Sequence, residues 1–204
     1  MSTPFITFEG IDGAGKSTQV QSLARLFRKM NRDPLVTREP GGSAGAEDIR
    51  RLLVAGDQGR WSVETEILLF TAARRDHLER SIQPALKAGR TVISDRFADS
   101  TRVYQGAARA STRRVVDRLH SLMIGREPDL TFIIDLDPAI ALSRRRVPRA
   151  DRFENMGLDF QKAVRTGFLA LAEEFPDRCV VVNGDDSPEK VATDVSDVIG
   201  ERCP

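Results

Sequence analysis

Glycines, a lysine and a serine near the start of the chain have the spacing of a phosphate-binding loop. Gly10, Gly15, Lys16 and Ser17 follow the pattern GxxxxGKS. In such a loop backbone N–H groups surround the phosphates, the lysine reaches the β- and γ-phosphates, and the serine hydroxyl is available to Mg²⁺. The alternative is a simple glycine turn. The pattern predicts nucleotide binding by a set of consecutive residues: Gly10, Ile11, Asp12, Gly13, Ala14, Gly15, Lys16, Ser17 and Thr18.

The elements around this loop favour the functional interpretation. A strand is predicted before it, and apolar residues at helical spacing follow it from Lys16 onward. Further short apolar runs alternate with helical stretches, which is typical of a parallel sheet covered by helices. We therefore predict an α/β fold, a three-layer sandwich with a five-stranded parallel sheet flanked by helices, as one domain over residues 1–204. The predicted strands are residues 5–8, 35–37, 91–94, 130–134 and 180–182.

Composition narrows the possible partners. The 31 basic and 30 acidic residues nearly cancel, so no overall field favours nucleic acid or an anionic membrane. No apolar stretch approaches the ~20 residues that span a bilayer, and no signal peptide is evident. We expect a cytoplasmic protein that binds neither nucleic acid nor membrane. Cys179 and Cys203 are expected to be reduced structural thiols.

An acid and a base follow the predicted strand at residues 91–94. Asp95 and Arg96 stand where a parallel strand ends, a position suited to a carboxylate near Mg²⁺ and a guanidinium that binds phosphate. A surface ion pair is the alternative. Asp135 also ends a strand, but no arginine follows it, so a cap or loop hydrogen bond is the better interpretation there.

Five arginines lie between residues 144 and 152, after a helix that we expect to begin near Pro138 and to end at Pro148. A solvated face or a nucleic-acid patch would have this composition. Beside a phosphate-binding loop, however, it favours a mobile lid at about 144–154. Such a lid would bring an arginine over the transferring phosphoryl group.

Phe70 and Arg74 are four residues apart on a predicted helix and so share one face. The pair is able to stack on a flat base and donate a hydrogen bond to its carbonyl. A core phenylalanine beside a surface arginine is the alternative. His77, on the same helix, has no partner that the sequence reveals.

Six blocks, in order and spacing, resemble bacterial thymidylate kinases over essentially the whole chain. The resemblance implies phosphorylation of dTMP to dTDP with ATP and Mg²⁺. The alternative hypotheses are a kinase of another nucleoside monophosphate, a P-loop ATPase and a nucleic-acid-binding protein. Members are usually homodimers, and the helix over residues 64–88 would be available for that contact. The blocks are residues 8–18, 37–42, 69–74, 95–96 and 104–106, with the lid as the sixth.

The resemblance also assigns roles in the dTMP pocket. Phe70 would stack on thymine and Arg74 would meet its O4 carbonyl. Tyr104 would crowd the 2′ position of the sugar, and Asp12 would reach the 3′-hydroxyl. Other residues implied to line the pocket are Ser100, Thr101 and Gln105.

For the phosphates, the resemblance implies that Arg50 and Arg96 hold the acceptor phosphate, with Glu39 near it and near the metal. Ser17 and Asp95 would serve Mg²⁺. Because Gly13 occupies the place where some members carry a basic residue, the transition-state arginine would come from the lid. Arg149 is the first candidate, and the loop at 183–188 would pack near the adenine. The expected catalytic set is Lys16, Asp95, Arg96 and Arg149, with Arg144, Arg146 and Arg152 as alternatives to Arg149.

Overall fold

The computed structural model describes residues 3–57, 59–106, 110–144 and 156–202. Within these ranges one five-stranded sheet has the order β2-β3-β1-β4-β5, and all neighbouring strands are parallel. The predicted α/β class is thereby confirmed. Each strand extends slightly beyond its apolar run, since ladder hydrogen bonds do not depend on side-chain polarity. The strands are β1 Phe5–Glu9, β2 Leu35–Arg38, β3 Val92–Asp95, β4 Leu130–Asp135 and β5 Cys179–Asn183.

Helices connect the strands and flank the sheet. In the described part of the chain no helix has the length and apolar character needed to cross a membrane. The helices are α1 Lys16–Lys29, α2 Ala44–Val54, α3 Val63–His77, α4 Gln83–Lys87, α5 Ala98–Tyr104, α6 Ala110–Met123, α7 Pro138–Ser143, α8 Leu158–Glu174 and α9 Pro188–Arg202.

The sheet order places the phosphate-binding loop at the middle of the carboxyl edge. β1 lies between β3 and β4, so the loop that follows it has a strand end on either side. Gly10 has φ +135°, and a Cβ there would lie 2.5 Å from the carbonyl oxygen of Ile134. Only glycine allows the chain to leave β1 so close to β4.

The predicted helix over residues 64–88 forms, with one irregular turn. Helix α3 runs directly into a π-helical segment, Leu78–Ile82, and then into α4. Pro84 has no N–H to donate, and its ring would clash with the carbonyl four residues earlier in a regular helix. The wider turn before it accommodates the proline without breaking the helix.

The prediction that Pro148 ends the helix beginning near Pro138 is wrong. Helix α7 ends at Ser143, well before Pro148. The carbonyl oxygen of Ile140 accepts hydrogen bonds from both the Ser143 hydroxyl at 2.7 Å and the backbone N–H of Arg144, the residue that caps the helix, at 3.1 Å. Pro148 itself lies outside the described residues.

A buried charge cluster fixes helix α5 against the sheet. Asp99 is 1% exposed. Its carboxylate accepts hydrogen bonds from Arg102 at 2.8 Å and from both terminal nitrogens of Arg178, just before β5, at 2.6 and 2.9 Å. Buried carboxylates need such partners, because each oxygen that loses water must be satisfied. Asp99 therefore sets where α5 lies along the sheet.

Asp99→Ala should lower the free energy of unfolding by about 1.5–3 kcal/mol, because Arg178 loses its hydrogen bonds to Asp99 and the buried Arg102 loses one of its three carboxylate partners. Urea unfolding followed by far-ultraviolet circular dichroism measures this loss. Asp48→Ala removes an exposed partner of Arg51 and should change stability by no more than about 0.5 kcal/mol. Equal effects of the two substitutions would show that the Asp99 cluster does not anchor α5.

Candidate active site

Lys16 lies folded back on the phosphate-binding loop. Its ammonium donates to the carbonyl oxygen of Ile11 at 2.8 Å and is 4.0 Å from Asp12. Burial and the positive charge of Arg96 lower the pKa of Lys16 to about 8. Phosphate oxygens near Lys16 would favour the charged form of its ammonium, so an anion that enters the loop would be bound favourably.

Ser17, in the first turn of α1, lies next to Asp95, the last residue of β3. The Ser17 hydroxyl donates to the Asp95 carboxylate at 2.5 Å. Both offer hard oxygen ligands beside the phosphate loop, and Mg²⁺ in nucleotide sites takes one or two protein oxygens together with phosphate oxygens and water. The donor set therefore fits magnesium.

Arg96 joins the phosphate-binding loop to helix α5. Its backbone is in the left-handed region, with φ +74°. The guanidinium donates to Asp12 at 2.5 Å, to Ser100 at 2.8 Å and to the Tyr104 hydroxyl at 3.2 Å. Four of the residues expected to surround the acceptor are thus brought into one hydrogen-bonded group.

Glu9 is a member of this group that the sequence analysis did not identify. Its buried carboxylate accepts hydrogen bonds from the backbone N–H of Phe97 at 2.7 Å and from the Ser100 hydroxyl at 2.6 Å. Burial first, and then the neighbouring charge of Asp99, raise the pKa of Glu9 to about 7. The only sequence clue was an acidic residue at the end of an apolar strand.

Arg74 lies in the interior and does not project from the surface. It is 3% exposed, and it donates to Glu39 at 2.7 Å, to the carbonyl oxygen of Phe97 at 3.1 Å and to the Thr101 hydroxyl at 2.9 Å. Phe70 is partly buried one helical turn earlier. The alternative of a core phenylalanine beside a surface arginine is therefore excluded.

The remaining pocket residue, Gln105, is also buried and oriented by a partner. Its side-chain amide donates to Glu66 on α3 at 3.1 Å. Glu66 was not singled out in the sequence. The residues predicted to surround the base therefore lie on α3 and α5 and next to the end of α5, and these helices contact each other through Arg74 and Thr101.

His77 has partners, contrary to what the sequence alone revealed. Its ring is fully buried, with Nδ1 3.0 Å from Glu39 and Nε2 2.7 Å from the Thr37 hydroxyl. Glu39 is 5% exposed. Its two carboxylate oxygens face Arg74 and His77, so it lies behind the pocket wall.

Arg50 lies on α2, and its side chain reaches the loop that follows β2. Its guanidinium donates to the carbonyl oxygen of Pro40 at 2.7 Å. Arg38, a weaker candidate in the sequence, pairs with Glu47 at 2.9 Å. Asp135 forms two hydrogen bonds with Arg165, at 2.6 and 2.8 Å, and so is engaged away from the phosphate loop.

The lid candidate Arg149 lies outside the described residues, as do Arg146 and Arg152. Arg144 is described, and it donates to the carbonyl oxygen of Gly184 at 3.0 Å. Gly184 lies close to the phosphate-binding loop, since a Cβ on it would be 3.5 Å from the carbonyl oxygen of Ala14. The loop at 183–188 therefore lies beside the phosphate-binding loop at Gly184.

A parallel sheet with this phosphate loop, and an arginine pocket beside it, defines a P-loop kinase that acts on a small phosphorylated acceptor. Comparison with known proteins specifies the family. The family model described as thymidylate kinase matches residues 8–195. The chain therefore belongs to the thymidylate kinase family, and it is an enzyme that phosphorylates dTMP to dTDP.

Individual relatives agree with this assignment. A thymidylate kinase of Dinoroseobacter shibae is 68% identical over 192 residues, with 93% of each chain covered. One of Jannaschia sp. is 60% identical over 200 residues, covering 97% of this chain and 96% of the relative. The crystal structure of thymidylate kinase from Ehrlichia chaffeensis superposes with a TM-score of 0.80 at 36% identity, covering 98% of this chain and all of that one.

Glu9 should make folding stability fall as the pH rises. A carboxyl with an ordinary pKa of 4.5 in the unfolded chain and about 7 in the folded protein binds more protons when folded between these values. The free energy of unfolding is unaffected below pH 4.5, falls progressively between pH 4.5 and pH 7, and is constant above pH 7, with a total loss of about 3 kcal/mol.

Glu9→Gln keeps the shape and removes this titration. Relative to the unsubstituted protein, the variant should gain stability as the pH is raised from 4.5 to 8. Urea unfolding at a series of pH values measures the difference. A difference that stays constant over this range would contradict the assignment to Glu9.

Proposed function

We propose that this enzyme transfers the γ-phosphoryl group of ATP to the phosphate of dTMP in the cleft between the phosphate-binding loop and α5. The observation that carries the proposal is the position of Arg96. Its guanidinium contacts Asp12 of the loop on one side and Ser100 and Tyr104 of α5 on the other. Donor and acceptor phosphates would meet at this side chain. We place the enzyme in the cytoplasm.

On the donor side, backbone N–H groups of the loop and the first turn of α1 would bind the ATP phosphates. Lys16 would exchange its bond to Ile11 for oxygens of the β- and γ-phosphates. Ser17 and Asp95 would hold Mg²⁺, which when bound neutralises negative charge on the transferring group. The loop at 183–188 would lie against the adenine.

On the acceptor side, Arg96 and Arg50 would hold the dTMP phosphate. Tyr104 would lie against the 2′ position, with its hydroxyl kept protonated because burial raises its pKa. Asp12, which Tyr104 and Arg96 both approach, would accept a hydrogen bond from the 3′-hydroxyl. The base would lie among Phe70, Arg74, Thr101 and Gln105, with Ser100 near the phosphate.

This arrangement needs no separate general base. The acceptor phosphate is already an anion, and its approach to the γ-phosphate is opposed by charge repulsion. Lys16 and Arg96 reduce that repulsion and align the two groups, which is where catalysis of phosphoryl transfer chiefly resides. A lid arginine, Arg149 before Arg144, Arg146 or Arg152, would add a further cation over the transferring group.

Lys16→Ala tests the donor site. The substitution should reduce kcat about 100- to 1,000-fold, as the loss of one preorganised charge contact does, while the Kd of dTMP stays unchanged. Lys29→Ala, at the exposed far end of the same helix, should retain full turnover. Unchanged kcat in Lys16→Ala would overturn the donor assignment.

A second test identifies the acceptor. ADP release is measured with ATP and Mg²⁺, and dTMP is compared with dUMP, dCMP, UMP, AMP and no acceptor. Release that strongly favours dTMP is expected. Release independent of the acceptor would indicate an ATPase, and preference for another monophosphate would overturn the pocket assignment.

We also propose a homodimer formed through α3 and α6. These helices pack against each other, and both leave large apolar side chains in contact with water. Leu68 on α3 is 58% exposed, and Leu122 and Met123 on α6 are 72% and 48% exposed. Exposed large apolar side chains on two helices that contact each other are what a surface covered by a partner would supply.

Light scattering during size-exclusion chromatography tests the dimer. The unsubstituted chain should elute with twice the monomer mass, and Leu68→Glu should convert it to monomer, because a charge would be buried at the contact. Met30→Glu replaces a side chain of similar exposure, 54%, at the end of α1 and should leave the mass unchanged. A monomeric unsubstituted chain would refute the proposal.

A further inference from the structure

A chain of buried hydrogen bonds runs behind the base pocket from β2 to α3. The Thr37 hydroxyl is 2.7 Å from Nε2 of His77, and Nδ1 of the same ring is 3.0 Å from Oε1 of Glu39. Oε2 of Glu39 accepts from Nε of Arg74 at 2.7 Å. Arg74 and His77 are three residues apart on α3 and therefore reach Glu39 from one helix face.

The imidazole of His77 is fixed in orientation. Facing a carboxylate, which only accepts hydrogen bonds, its Nδ1 must carry a proton and donate. On the other side the loop after β2 closes against the ring. A Cβ on Gly42 would lie 2.3 Å from both Nε2 of His77 and Oγ1 of Thr37. The Thr37 hydroxyl and this loop together hold the ring toward Glu39.

This constraint passes to the guanidinium of Arg74. Glu39 holds its Nε, while the carbonyl oxygen of Phe97 and the Thr101 hydroxyl hold Nη2. The guanidinium also lies over the Phe97 ring, 5.2 Å from its centroid. Without a donor from His77, Oε1 of Glu39 would be a buried unsatisfied acceptor, and the carboxylate would reorient to find another partner.

We infer that His77 is a positioning residue for selection of the base, acting through Glu39 on Arg74. The inference rests on the proposed placement of the base at Arg74. Thymine presents a carbonyl acceptor where cytosine presents an amino donor. A guanidinium held rigidly at that position rejects cytosine, because two donors would face each other in a buried pocket. A guanidinium free to move rejects it less well.

Two substitutions of similar size separate this role from packing. In His77→Asn the amide nitrogen takes the place of Nδ1 and still donates to Glu39. In His77→Gln the amide takes the place of Nε2 and leaves Glu39 without its donor. The measured quantity is the ratio of Kd for dCMP to Kd for dTMP, obtained by titration calorimetry, together with kcat/KM for each nucleotide.

His77→Gln should lower this ratio about tenfold, the effect of one hydrogen bond to a charged group. His77→Asn should lower it only about threefold, because the variant keeps the donor to Glu39 and loses the bond to Thr37, which is on the scale of a neutral hydrogen bond. Equal effects of the two variants, or equal weakening of dTMP and dCMP binding, would show a packing role and overturn the inference.

Arg74→Gln separates this test from the proposed function. It should abolish discrimination between dTMP and dCMP. The double variant Arg74→Gln with His77→Gln should have the same Kd ratio as Arg74→Gln alone, because His77 acts through Arg74. If Arg74→Gln leaves the ratio unchanged, the placement of the base is wrong. If Arg74→Gln lowers the ratio and both His77 variants leave it unchanged, only the inference about His77 fails.

Thr37→Val provides a variant that leaves the histidine in place. It removes only the hydroxyl that holds Nε2 and keeps the side-chain volume nearly constant. The ratio should fall about threefold, corresponding to one neutral hydrogen bond. An unchanged ratio in a folded Thr37→Val protein would overturn the inference even if neither His77 variant folds.

Discussion

The buried carboxylate of Glu9 ties together the two strand ends that carry the phosphate chemistry. It accepts hydrogen bonds from the first residues of the segment after β3, at the Phe97 backbone and the Ser100 hydroxyl. Just before these two residues, the backbone N–H of Arg96 donates to the carbonyl oxygen of Phe8 at 2.9 Å. A left-handed backbone at a non-glycine residue costs free energy and persists only where its surroundings hold it. The bonds from β1 supply that restraint, and the orientation of Arg96 toward Asp12 follows from it.

The site is arranged so that its cations have protein partners that phosphate can replace. Lys16 bonds to a carbonyl oxygen, and Arg96 bonds to Asp12. The carbonyl is neutral and the carboxylate carries a single negative charge, whereas the polyphosphate that the loop would bind carries several, so the exchange favours the nucleotide. Glu9 remains where it is, because its two oxygens are occupied by the backbone and by Ser100. Arg96 would therefore change partners without losing the backbone geometry that orients it.

Local patterns predicted the parts of the site that depend on local structure. The phosphate loop, the strand ends and the proximity of Ser17 to Asp95 follow from one motif and from parallel topology. The burial of Arg74 and the partners of His77 do not, because Glu39 and Thr37 come from a distant strand and loop. A helix by itself presents an arginine as a surface residue. Only the contact of the segment after β2 with α3 gives Arg74 an interior counter-charge. The end of α7 was mispredicted because a proline limits a helix only when the helix reaches it, and α7 already ends at Ser143.

Helix α5 couples recognition of the base to alignment of the phosphate. Thr101 contacts Arg74, and the preceding residue, Ser100, contacts Arg96. These two arginines would meet opposite ends of the same nucleotide, so their separation is set by adjacent residues of one helix. Asp99, the residue before them, anchors that helix to Arg178 next to β5. A base that fits poorly at Arg74 would therefore strain the helix that aligns Arg96, and binding energy gained at the base would be expressed in the position of the acceptor phosphate.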